Sequence, residues 1–146
     1  MKPDAFVGAL DDSRIVAAIQ AAESRSRGEI RIHVSDRRVE DAHAAAVAVF
    51  HRLGMTKTDE RSGVLLFVAP ASRSFAVIGD RGIHDRCGEG FWPAVAAAVG
   101  EEFRAGRFTE GIIAGIEKVG DELARHFPRR PGDADRNELP DTVSRD

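Results

Sequence analysis

Hydrophobic positions recur along the chain with two different periods. Ile15, Ile19 and Ala22 fall at helical spacing behind Asp11 and Asp12, which can cap a helix running to about Ser26. Gly28 ends that pattern, and Glu29–Val34 then alternates. Ile30, Ile32 and Val34 point one way and Glu29, Arg31 and His33 the other, which predicts a half-buried strand. Asp36 and Asp41 flank the start of a second helix with the apolar stripe Ala42, Ala46, Val49, Phe50 and Leu53, closed by Gly54. After the polar loop 56–62, the run from Gly63 to Ala69 has no polar face. Such a strand is buried on both sides, with helices above and below its sheet.

Pro70–Ser72 reads as a turn, and Arg73–Ile78 as a third strand that forms an antiparallel hairpin with the second. Gly79-Asp80-Arg81-Gly82 breaks that strand. A helix over about Phe91–Arg104 has Pro93 in its first turn, and another runs over about Thr109–His126. The order α-β-α-β-β-α-α contains one right-handed parallel crossover and one hairpin. It predicts a three-layer α/β/α domain over residues 1–127, with a small mixed sheet between helices. Residues 128–146 hold nine charges and three prolines, which predicts a tail that is mobile or clings to the surface.

Composition narrows the function classes without choosing one. With 21 Lys and Arg against 24 Asp and Glu, the net charge is −3. Nucleic-acid binders derive affinity from phosphate neutralisation and show a basic excess, which is missing here. The basic cluster Arg125–Arg130 sits where a helix C-terminus favours positive charge. The single cysteine, Cys87, permits no intrachain disulfide and agrees with a reducing, cytoplasmic setting. The first residues lack the apolar core of a secretory signal, and no uncharged run reaches membrane-spanning length.

Catalytic motifs are sparse. A cysteine phosphatase needs Arg six positions after its nucleophile, and Pro93 stands there after Cys87. Asp133-Ala-Asp135 lies in the tail with no strand before it, where an aspartyl phosphatase could not use it. His84-Asp85 is too short to be a metal-hydrolase signature, and the phosphate-binding and dinucleotide-binding glycine patterns are missing. His43 and His51 lie about 80° apart and roughly 12 Å along a helix, too far for one metal ion to bridge. Gly111 and Gly115 share a helix with Glu117, Lys118, Asp121 and Glu122, so they mark close packing on a neighbouring element rather than a lipid-facing dimer.

Strand direction does gather polar residues. Because the third strand runs against the other two, Asp80 comes to the end that carries Glu29, Arg61 and Ser62, with Arg81, His84 and Asp85 following. Asp80 and Asp85, with Glu29, offer oxygen ligands to a hard cation such as Ca²⁺ or Mg²⁺. The plainer alternative is an Arg–carboxylate network at a turn. The opposite end holds Ser35, Asp36 and the Pro70–Arg73 turn, with Asp36 favoured and Arg73 as an anion partner. It is the end where open α/β sheets bind ligands, beyond the carboxyl ends of parallel strands.

Several segments resemble the TPM-domain family. They are Leu53-Gly54-Met55, Arg61 to Ala69, Arg73, the run Phe75 to Ile83, Phe91-Trp92, Phe103, Gly106, Phe108, Glu110-Gly111-Ile112 and Asn137 to Pro140. The resemblance covers about Asp12 to Pro140 and implies a compact α/β/α domain. Members include thylakoid and periplasmic proteins linked to photosystem repair and a receptor-associated membrane protein. Acid phosphatase activity and divalent-cation binding are attributed to some. Where membrane-anchored members show Gly-Tyr-Gly-Leu-Glu, this chain has Gly79-Asp-Arg-Gly-Ile-His84, one residue longer and with His84 in place of Glu. It is more similar to the shorter, soluble branch.

Three roles follow as expectations. One is a divalent-cation-binding ligand or partner module at Gly79–Asp85. Another is a weak metal-assisted phosphatase. In it Asp80 holds the ion, Arg61 or Arg81 clamps the phosphoryl oxygens, and His84 or Asp85 moves the proton. The third is an interaction module for a membrane-protein partner.

Overall fold

A computed structural model of the chain describes residues 3–130 and 141–146. Among the described residues, ten α-helices and β-strands follow in order: α1 (Pro3–Gly8), α2 (Asp12–Ser24), β1 (Glu29–Val34), α3 (Ala42–Arg52), β2 (Gly63–Ala69), β3 (Ser74–Gly79), α4 (Arg81–Cys87), α5 (Phe91–Arg104), α6 (Phe108–His126) and β4 (Ser144–Arg145). The sheet order is β3-β2-β1-β4. β1 runs parallel to β2 in the register Glu29↔Gly63 to Val34↔Val68, and β2 pairs antiparallel with β3.

The predicted α/β/α layering is present. Ile30, Ile32 and Val34 of β1 join Val64, Leu66 and Val68 of β2 in the larger core, against Ile15 and Ile19 of α2, Val95 and Val99 of α5, and Ile116 and Leu123 of α6. Leu65, Phe67 and Ala69 face the other way and pack on Ala46, Val49 and Phe50 of α3. Each β2 residue is buried, as an apolar strand between two helical layers requires. Side chains of Asp11 and Asp41 cap α2 and α3, accepting the backbone N–H of Arg14 at 3.2 Å and of Ala44 at 3.1 Å. Gly111 and Gly115 let α6 close on α5. A Cβ on Gly111 would lie 2.6 Å from the Phe103 ring.

The structure departs from the sequence reading in five places, one of them α1, which precedes the first helix that the periodic pattern marks. The first strand is not half-buried. Glu29 and His33, on its polar face, are as buried as its apolar residues. The break after β3 is a helix, α4, with Asp80 as its cap. Arg73 lies before β3, in the left-handed region at φ 50°. Lastly, residues 144 and 145 of the supposed tail form β4, parallel to β1 through His33↔Ser144 and Val34↔Arg145. Asp133-Ala-Asp135 and Asn137–Pro140 lie outside the described residues.

Candidate functional site

At the amino end of the parallel pair, Asp80 and Arg61 meet. Arg61 donates from Nε to Asp80 Oδ2 at 2.6 Å and from Nη2 to Oδ1 at 2.8 Å, a bidentate pair. Asp80 Oδ1 also accepts the N–H of Arg81 at 2.8 Å, and the Asp80 side chain is 4% exposed. Both carboxylate oxygens are therefore engaged. The hydrogen bonds from Arg61 hold its guanidinium above its ordinary range. Arg61 takes the left-handed conformation at φ 53°, a strained state for a side-chain-bearing residue, and the Gly82 N–H bonds its carbonyl at 2.9 Å. Gly82 must lack a side chain, because a Cβ would sit 2.1 Å from the Glu60 carbonyl oxygen. The turn is a rigid Arg–carboxylate knot.

The other residues assigned to this end do not join it. Arg81, His84 and Asp85 lie exposed on α4, and the His84 ring stacks on Trp92 at 6.3 Å. Glu29 is buried beside Glu23 of α2, which also hydrogen-bonds Asp141. Glu23 accepts the Ile30 N–H at 3.0 Å, satisfying a donor on the outer edge of β1. Burial first, then hydrogen bonds with Asp141 and Glu29, pushes the Glu23 carboxyl up to about 10. Among the described residues, no group of three or more His, Cys, Asp or Glu side chains is placed to hold a metal ion. Cys87 is partly buried beside Glu122. Desolvation and that carboxylate push its thiol up to about 12.

The carboxyl end of the parallel pair is built differently. Here β1 ends at Val34, and Ser35 continues it with its N–H on the Val68 carbonyl at 2.8 Å. The Asp146 carboxylate docks in the angle so formed. Its Oδ2 accepts from Ser35 Oγ at 2.6 Å and from the Asp36 N–H at 2.8 Å, and its Oδ1 lies 2.8 Å from His33 Nε2. Arg52 Nη2 stands 3.8 Å from Oδ1. An ionised carboxylate only accepts, so His33 Nε2 carries a proton, and Nδ1 faces Ser144 Oγ at 3.0 Å. The His33 ring is fully buried and stacks on Phe67 at 5.9 Å. Burial raises the Asp146 carboxyl. The hydrogen bonds from Ser35, His33 and Asp36 outweigh it and hold the group well below the usual carboxylate range.

Asp36 contributes its backbone N–H here, its carboxyl also lies within hydrogen-bonding reach of Asp146, and Arg73 stands exposed at the same end. Ser35 lies at the end that the sequence offered as the competing site, whereas His33 and Asp146 did not figure among the candidates. The alternation of β1 placed His33 on the polar face, but nothing in a charged tail signals a partner for it.

A sequence profile of the TPM domain matches residues 4–122. The chain belongs to the TPM-domain family. This TPM domain is 38% identical to the BA42 protein of the psychrophilic bacterium Bizionia argentinensis, whose NMR structure superposes with a TM-score of 0.85 over 94% of this chain and 96% of that one. Two further structures share the fold at 17% identity. One is the N-terminal domain of a P. gingivalis protein, with a TM-score of 0.67 over 84% of this chain and 83% of its own. The other is the N-terminal domain of cg2496 from Corynebacterium glutamicum, with a TM-score of 0.61 over 80% and 75%. No curated protein matches the chain. No helix among the described residues of this TPM domain is long and apolar enough to cross a membrane.

Proposed function

We propose that this TPM domain is a binding module for anionic groups, and that it takes them at the carboxyl ends of β1 and β2. One observation carries the reading: the Asp146 carboxylate already lies there on three donors, Ser35 Oγ, the Asp36 N–H and His33 Nε2. A hydroxyl, a backbone amide and an imidazole N–H converging on one anion are the donor types that bind phosphate or carboxylate. The place agrees with the rule for ligands of open α/β sheets. A cation role at Gly79–Asp85 lacks comparable support, since an ion at Asp80 must displace Arg61 or the helix cap.

The test is an amide NMR titration of the Asp146→Ala variant with inorganic phosphate. Saturable shifts confined to His33–Arg37 are expected, at about tenfold lower concentration than in the unsubstituted chain. Shifts centred on Gly79–Asp85, or none that saturate, would overturn the proposal.

A further inference from the structure

The anion cradle is one of three features that line up along the outer edge of β1. The first is a backbone edge. β4 pairs with β1 only at His33 and Val34, and among the described residues no other strand lies on that side of β1. The second is a pair of side-chain seats set two residues apart. Alternate residues of a strand share a face. Ser144 and Asp146 thus both turn to His33, the one on Nδ1 and the other on Nε2. The third is an apolar seat on the opposite face, where Val143 packs against the larger core. Further back, Asp141 is hydrogen-bonded to Glu23. A sheet edge for the main chain, with seats for alternate side chains, is how domains bind extended peptides by strand addition.

From this arrangement we infer that the outer edge of β1 is a peptide-recognition groove. Its ligand is an extended segment of a partner protein in which an apolar residue and a hydroxyl residue are adjacent and an acid stands two positions after the hydroxyl. Residues 143–146 of this chain carry that pattern and occupy the groove as a resident competitor. The inference rests on the anion site proposed above and adds to it the class of ligand. The partner's main chain continues the β1 ladder, its acid takes the place of Asp146, and its apolar residue takes that of Val143.

The experiment uses the full chain, unsubstituted and with Asp146→Ala. Each is titrated with an acetylated, amidated peptide of the sequence of residues 141–146, and with the same peptide carrying asparagine at its last position. Blocking the peptide ends leaves the side chain as the only acid at that end. Amide shifts at His33, Val34, Ser35 and Asp36 are the readout. The first peptide is expected to saturate the Asp146→Ala chain about tenfold more tightly than the unsubstituted one, because a tethered segment competes at high effective concentration. The asparagine peptide is expected to bind about tenfold more weakly, having lost its charge-assisted hydrogen bonds. Three results overturn the inference: no saturable shift with either peptide, equal affinity for the two peptides, or a concentration-dependent dimer without peptide, which assigns the edge to strand exchange between copies. If phosphate binds the variant and the peptide does not, the anion site stands and the peptide groove falls. If the peptide binds with its preference for the acid and phosphate does not, the groove stands and its anion site accepts a peptide carboxylate but not phosphate.

Discussion

Replacing Glu23 with glutamine should make the protein more stable at neutral pH, although it removes a native side chain. Glu23 reaches past the edge of β1 to accept the Ile30 N–H, and it lies against Glu29 and Asp141. Burial makes ionisation costly, and the hydrogen bonds with Asp141 and Glu29 and the nearby Glu29 charge add to that cost, so the folded protein keeps a proton on Glu23. Its carboxyl sits at about 10 when folded, against an ordinary value of 4.5. A group raised on folding contributes its full stability below its unfolded value, and that contribution is lost as pH rises towards the folded one. Between pH 4.5 and pH 7 the loss at 1.36 kcal/mol per unit has a ceiling of about 3 kcal/mol. Glu23 is partly open to water, and solvent screening reduces this to about 1–2 kcal/mol. Glutamine keeps the acceptor for Ile30 and a donor for Asp141 without a proton to lose. Urea unfolding of both proteins from pH 4.5 to pH 8.5 measures the difference. The expected gain for Glu23→Gln is near zero at the acid end and grows with pH. A difference that does not change with pH, or a variant less stable than its parent at pH 8, would refute the shared-proton account.

Two other expectations follow from the same geometry. Gly82→Ala pushes a methyl group against the backbone carbonyls of Glu60 and Arg61, which cannot swing aside as a side chain could. It should cost about 1–3 kcal/mol in urea unfolding, and an unchanged midpoint would mean the turn is looser than described. Cys87, with its thiol pushed up to about 12, should resist iodoacetamide in the native protein at pH 8 and react fully only in denaturant. Native alkylation at the denatured rate would contradict that environment.

The amino end of the sheet shows how far local sequence can be read. Strand direction alone brings Arg61 and Asp80 together. That juxtaposition admitted either a cation site or a charge-satisfying knot at a turn. Side-chain geometry gives Asp80 two hydrogen bonds from Arg61 and one from the Arg81 amide. α4 escaped the sequence reading because its first turn contains Gly82, which reads as a breaker. The glycine is there because a carbonyl occupies the space where a side chain would go.

What the sequence determined by itself is the frame. Period and polarity set β1, β2, β3, α3, α5 and α6, and an apolar β2 demanded helical layers on both faces, because a strand without a polar side must be covered twice. The fate of the polar face of β1 was settled by long-range packing alone. Alternation placed Glu29, Arg31 and His33 together and implied water beside them. Instead Glu29 meets Glu23, while His33 meets Ser144 and Asp146, contacts that span 111 and 113 residues in the case of His33. No local pattern encodes a partner at that separation. A buried polar group must find its hydrogen bonds somewhere, and where it finds them depends on which distant segment the finished sheet leaves room to pair.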